Sequence, residues 1–433
     1  MHASVGAGFT KFIANMPIQR TLLLLLFAIL PGIACAAGSA DLRVAKLTGV
    51  SPEDHRFADL QAFGDAVGDA QVVVLGEQTH GEGDIFSLKV RLVEYLHEKK
   101  GFDVLLLESG LFDGETIERQ SIAGASVLQQ APDNLFFAYS KTKEARAMFA
   151  YIDAERKSGV PLELATFDSQ ESGKLSQTML VDSLGAYLTA SGSVLPQSDE
   201  WKLFHERTEA ILKFDRSEPP AAVQDAYFRF VGQIGQCLNV VDKPELQAQA
   251  PYWRRVVASV QSQARRFWTT NGNIVADIDL REAAGADNIV WQIQQAHPGH
   301  KFIVWTHDVH GQKSPLFGNI KGSMQRVREM LPQTRFYHVY FTSYSGQFVN
   351  YETGALVDVG KPGAQSLEAQ LHRAGVKLGF VDLRSASPAL RATPLNGHDR
   401  EFPANHPALA DFTDGVFYID TLHPTVREKG FED

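Results

Sequence analysis

Four short apolar runs constrain this chain most, because each closes on an acid or a histidine. Val72–Leu75 leads into Gly76-Glu77-Gln78-Thr79-His80-Gly81, and Val104–Leu107 leads into Glu108. Leu162–Phe167 leads into Asp168, and Phe302–Trp305 into Thr306-His307-Asp308-Val309-His310. Runs this short, apolar with little alternation, predict strands covered on both faces. Helical patterns lie between them: Phe86, Val90, Val93 and Leu96 share one helical face, with Asp84 as the expected N-cap. The alternation predicts an α/β fold with a mostly parallel central sheet flanked by helices. Ligands of such sheets bind beyond the carboxyl ends of the strands. If the strands are parallel neighbours, Glu77, His80, Glu108, Asp168, His307 and His310 crowd one rim; their order cannot be read from the sequence.

The middle of the chain, about 169–270, lacks strand runs. Helical patterns at Trp201–Phe214, Ala222–Leu238 and Tyr252–Phe267, punctuated by Pro219-Pro220 and Pro251, predict a helical insertion capping the strand C-terminal rim. Beyond His310 the rhythm resumes. Met324–Leu331 and Leu367–Ala374 read as helices, and Phe336–Phe341, Leu378–Leu383 and Gly415–Ile419 as strands. The α/β domain is therefore expected over 37–425.

The first 36 residues read as an address. Lys11 and Arg20 precede the apolar run Leu22–Leu30, Pro31-Gly32 closes it, and Ala34-Cys35-Ala36 matches the small-x-small pattern of signal peptidase. The run is too short for a stable membrane span. Lipidation at Cys35 is disfavoured, since Gly32 stands where a lipobox takes Leu. Removing these 36 of 433 residues leaves 397 and takes away two positive charges, so the formal net charge of −10 becomes −12. The expected location is periplasmic or secreted. With Cys35 gone, Cys237 has no partner for a disulfide, and its apolar helical setting reads as a small buried hydrophobe. The acidic balance, 41 Lys and Arg against 51 Asp and Glu, argues against nucleic acid as a partner.

G-x-S-x-G, H-E-x-x-H, the P-loop and the dinucleotide fingerprint are all absent from the sequence. The histidine–carboxylate set remains. A histidine in a strand-to-helix turn can take a proton from water, and a nearby carboxylate can fix its tautomer and stabilise the imidazolium.

Taken together, Gly76–Gly81, Phe86-x-x-Lys89-x-Arg91, Gly101-Phe102 and Glu108 resemble the opening of the erythromycin esterase family. Arg281, Asn288, Trp291 and Trp305–His310 resemble its second block, and Phe341–Phe348 with Asp382-Leu383-Arg384 its closing segments. The likeness runs from about residue 50 to 425 and is weakest in the helical middle. It implies an α/β core with a helical insertion, a deep cleft, and hydrolysis of an ester, in the best-known members a macrolide lactone linked to antibiotic resistance. It further implies that His80 is a general base on water with no covalent intermediate, joined by Glu77, Glu108, His307, His310 and Arg281. Lys89 or Arg91 matches a further basic position, and Asp168 and Asp308 stand as candidate substrate contacts. The sequence departs from the pattern at Asp308, where Asn is usual, at Glu282, where Asp is usual, and at Gln78, where a small residue is common.

This reading expects no cofactor and a small-molecule ester or lactone as substrate. Two alternatives remain open at this level. The same His and Glu residues are acceptable zinc or manganese ligands, which would make a metal-dependent hydrolase. An exported small-molecule or haem-binding protein could also use this rim.

Overall fold

The computed structural model describes residues 42–394 and 407–431. The segment 1–36, expected to be a leader, lies outside the described residues. Among the described residues no helix is long and apolar enough to cross a membrane.

The strands are β1 (Ala45–Lys46), β2 (Val72–Glu77), β3 (Val104–Gly110), β4 (Glu163–Asp168), β5 (Phe302–His307), β6 (Phe336–Val349), β7 (Leu356–Asp358), β8 (Leu378–Asp382) and β9 (Gly415–Leu422). They form one sheet in the order β1-β8-β9-β6-β2-β5-β3-β4, with β7 added on β6. The run β9-β6-β2-β5-β3-β4 is parallel throughout. β8, β1 and β7 pair antiparallel at its margins.

The central strands β2, β3 and β5 are apolar over their first four positions because both faces are covered there. Val73, Leu75, Leu105, Leu107, Ile303 and Trp305 belong to one core, packed under helices Gln61–Val67, Gly83–Lys100 and Lys143–Ser158. Their neighbours Val72, Val74, Val104, Leu106, Phe302 and Val304 belong to the core on the other face, with Ile289, Met324 and Val327. Burial of a side chain of this size contributes roughly 1.5–3 kcal/mol.

Between β4 and β5 the helices Lys174–Ala190, Asp199–Leu212, Ala221–Asn239 and Ala250–Trp268 enclose an aromatic core of their own, including Trp201, Phe204, Tyr227, Phe230, Trp253 and Trp268. The next helix, Ile274–Trp291, joins both bodies: Ala286 and Ile289 pack on the sheet and Trp291 on the cap core. Cys237 sits half-buried at the edge of the cap core, with Ser193 Oγ 3.7 Å from its sulfur.

Two buried acids fasten the cap to the sheet. Glu171, ahead of helix Lys174–Ala190, accepts the Phe112 N–H at the start of helix Leu111–Ile122. Asp113, in that helix's first turn, accepts the Gly173 and Ser176 N–H groups of the cap helix. Each acid thus satisfies orphan donors of the other's helix. Burial pushes Asp113 up to about 7 and Glu171 well above the usual carboxylate range, and each acid disfavours the other's charge. Folded values above the unfolded ones mean stability present at low pH that is lost as pH rises through them. Accordingly, the melting temperature of Glu171→Gln should rise relative to wild type as pH climbs from about 4 through about 7, the value to which Asp113 is pushed. A gap between the two melting curves that stays constant over that range would rule the coupling out.

Two expectations are corrected. Asp84 is not an N-cap: helix Gly83–Lys100 begins after Glu82, and Asp84 in its first turn accepts from the backbone N–H of His423 and faces its Nδ1, both at 2.8 Å. The strand expected over Phe336–Phe341 continues to Val349. Its end crosses Gly81, where a Cβ would lie 1.7 Å from the Val349 carbonyl oxygen, so only glycine fits there.

Candidate active site

Strand order turns four separate sequence signals into one rim. β2, β5, β3 and β4 are consecutive neighbours, so Glu77, His307, Glu108 and Asp168 lie at or near the ends of adjacent parallel strands. Glu77 stands in register with His307, and Gly110, two residues past Glu108, with Asp168.

Glu77 is wholly buried and accepts from three groups. Lys89 donates to Oε2, the Tyr139 hydroxyl donates to Oε1 at 2.6 Å, and His80 Nδ1 lies 3.1 Å from Oε1. Lys89 comes from helix Gly83–Lys100 and also lies over the Trp305 ring, 4.3 Å from its centre. Burial lowers the Lys89 pKa, with Glu77 opposing that shift, and raises that of Tyr139, so the hydroxyl stays a donor. With Nδ1–H committed to Glu77, the lone pair of His80 is on Nε2. The imidazole is 7% exposed and is walled by Phe136 and Tyr351, each with ring centres 4.8 Å away, and by His307 at 5.0 Å.

Glu108 ties the rest together. Its Oε2 accepts the Thr306 hydroxyl and the His307 backbone N–H, both at 2.8 Å. Its Oε1 faces His310 Nε2 at 3.1 Å and an Arg281 nitrogen at 3.5 Å. The other His310 nitrogen lies 2.6 Å from Glu282. Burial alone would neutralise these groups, but the opposed charges prevail. Glu282 and Glu108 push His310 up to about 10, and His310 holds Glu108 well below the usual carboxylate range. His307 behaves oppositely. Its Nδ1 accepts the Val309 N–H at 3.1 Å, and burial beside His80 keeps the ring neutral, its pKa well below the ordinary histidine value.

Arg281 and Asp168 form a bidentate pair, with contacts of 3.2 and 2.6 Å. The arginine side chain is 26% exposed, the most open cation of the set, and Asp168 is held low despite burial because Arg281 faces it.

The six residues expected to do chemistry are thus brought together. The expected substrate contacts are placed differently. Lys89 is buried beneath Glu77, and Asp168 is occupied by Arg281. Arg91 lies apart, its guanidinium spent on the carbonyls of Gly49, Asp54 and Arg56 and on Asp59, where it clamps the N-terminal segment. Asp308 is buried against His338 at 2.9 Å, beneath Gly76. Tyr139 was not foreseen: it comes from the short helix Phe137–Ser140, away from any strand end. Among the described residues no group of three or more His, Cys, Asp or Glu side chains is arranged to hold a metal ion.

A family model for erythromycin esterase matches residues 97–422. The chain belongs to the erythromycin esterase family. That match begins after the Glu77–His80 turn, so the role of the turn rests on its geometry. A putative hydrolase of Bacillus subtilis, YbfO, is 23% identical over 398 residues, 83% of this chain and 85% of that protein. The type II erythromycin esterase of Escherichia coli is 21% identical over 382 residues, 79% of this chain and 87% of that one. The solved structure of an erythromycin esterase mutant in its open conformation superposes with a TM-score of 0.64 at 17% identity, covering 89% of this chain and 98% of that one. Family and relatives support a hydrolase, and the structural likeness supports the fold.

Proposed function

We propose that this protein is an exported hydrolase that opens ester or lactone bonds with water activated by His80. The observation that carries the reading is the orientation of His80: Nδ1 faces a buried glutamate that Lys89 and Tyr139 also hold, leaving Nε2 as the base. Water gives a proton to Nε2 as its oxygen attacks the carbonyl carbon. Glu77 stabilises the imidazolium that forms. Arg281 donates to the carbonyl oxygen as it gains negative charge. The tetrahedral intermediate collapses, the C–O bond breaks, and the imidazolium returns its proton to the leaving alkoxide. His310 holds Glu108 and Glu282 in place, since both its nitrogens already face carboxylates. The signal-like start supports a periplasmic or secreted setting. The names of the E. coli relative and the solved mutant make macrolide lactones the first substrates to try.

The test is a panel of 4-nitrophenyl esters and macrocyclic lactones, erythromycin included, read by mass spectrometry as gain of one water, with His80→Ala alongside and with a chelator. Turnover of at least one compound that survives the chelator and is lost in the variant is expected. No turnover above the variant would sink the reading, and activity restored by one metal would replace it with metal-assisted hydrolysis.

Phe136, Phe137 and Tyr351, all half-buried, cluster beside His80 with ring centres 5.0–6.3 Å apart. They give the base an apolar wall suited to an alkyl or acyl group. Tyr351→Ala should lower kcat/KM on a hexanoate ester about tenfold more than on the acetate. Equal losses on both esters would remove the wall from the account.

A further inference from the structure

Beneath the catalytic turn, two buried side chains present a hydrogen-bonding conflict that only an extra proton resolves. His338, on β6, has Nδ1 3.2 Å from the Phe412 carbonyl oxygen and Nε2 2.9 Å from Asp308 Oδ1. Both contacts are to acceptors. A carbonyl can only accept, so a hydrogen bond on that side puts a hydrogen on Nδ1. A neutral imidazole then has a lone pair on Nε2, which cannot face a carboxylate oxygen at this distance. Either the ring is an imidazolium or Asp308 is a carboxylic acid donating to Nε2.

The surroundings favour the acid. His338 is wholly buried, and Arg328 and Lys313 oppose a positive charge on it, while Asp414, bonded to Lys313 and to the His338 backbone N–H, offers a weaker counterweight. Burial first, and Arg328 next, push His338 down to about 3. On the Asp308 side, the Lys89 ammonium and Asp308 attract each other. That ammonium is already bonded to Glu77, so Asp308 shares it with another buried acid.

We propose that Asp308 is held as a neutral carboxylic acid donating to His338, and that this proton positions the Glu77–His80 turn. The place of the pair supplies the link. A Cβ on Gly76 would meet Asp308 Oδ1 at 1.9 Å and His338 Nε2 at 3.0 Å, so the pair lies directly against the backbone that delivers Glu77. Asp308 also follows His307 and opens the short helix Asp308–Gly311, which carries His310. Loss of the proton would set a carboxylate against the Nε2 lone pair and add a second negative charge on Lys89 in competition with Glu77. Asp308 is thus a positioning residue, acting through Gly76, Lys89 and Glu77. The location of the proton stands on geometry alone, whereas its effect on rate rests on the hydrolytic reading.

Two measurements on the full chain separate these parts. The first needs no substrate. Nitrogen-15 NMR of wild type at neutral pH should give His338 as a neutral ring protonated on Nδ1. Infrared spectra should contain a buried protonated-carboxyl band that vanishes in Asp308→Asn. An imidazolium signature without that band, or a neutral ring protonated on Nε2, would overturn the assignment, even if no substrate is found. The second is the pH profile of kcat/KM. Asp308→Ala should lower it at least about tenfold at neutral pH, and Asp308→Asn, which keeps a neutral donor, should restore most of that loss and move the alkaline limb to higher pH. If the Ala variant does not fold, the Asn profile decides alone: an alkaline limb identical to wild type would refute the positioning role.

Discussion

His80→Ala is expected to lower kcat for ester hydrolysis by about 10²–10⁴-fold while leaving the fold in place. The first half follows from the loss of the base whose orientation Glu77 fixes. The second half follows from the hydrogen bonds that remain. Glu77 keeps Lys89 and Tyr139, so no buried charge is left without a partner. A melting curve close to wild type, with kcat lower by about 10²–10⁴-fold, is the combined signature. A variant that keeps wild-type turnover would show that another group is the base, and one that fails to fold would assign His80 to the core instead.

Glu108→Ala should behave differently, losing stability and activity together. Glu108 accepts from Thr306 and the His307 N–H and balances His310 and Arg281, and it is buried. Removing it strands a protonated histidine whose remaining partner is Glu282. Breaking a buried pair in this way costs about 3–5 kcal/mol, enough to lower the melting temperature by several degrees or more. Glu108→Gln keeps the shape but not the charge, and should fall between the two. It should also weaken the hold on the His310 proton, so that His310 titrates below about 10, a change readable by NMR. A Glu108→Ala protein as stable as wild type would contradict the electrostatic account of this rim.

Much of the fold was legible because burial on both faces writes continuous apolar runs, and because parallel strands deliver their last residues to one edge. Glu77, Glu108, Asp168 and His307 were found that way, and the sheet order places them side by side. The same logic could not reach Tyr139, Phe136 or Tyr351. These come from a short helix, the residue before it, and the turn after β6, and they meet His80 only through contacts far apart in sequence. Nor could it show which charged residues face the cleft. Lys89 and Arg91 sit two apart on one helix, a spacing that turns side chains to different faces. One reaches Glu77 and the other clamps the N-terminal segment. Asp308 is beside His307 in sequence, yet it turns inward to His338, thirty residues on, which no local pattern announces.

The central claim is that His80 activates water directly, with no bond between protein and substrate. A single turnover with protein in excess over an ester, run in oxygen-18 water and quenched over time, tests it most directly by intact-protein and product mass. The account predicts one heavy oxygen in the released acid and a protein mass unchanged at every time point. A transient acyl adduct, or heavy oxygen appearing in the protein, would contradict it.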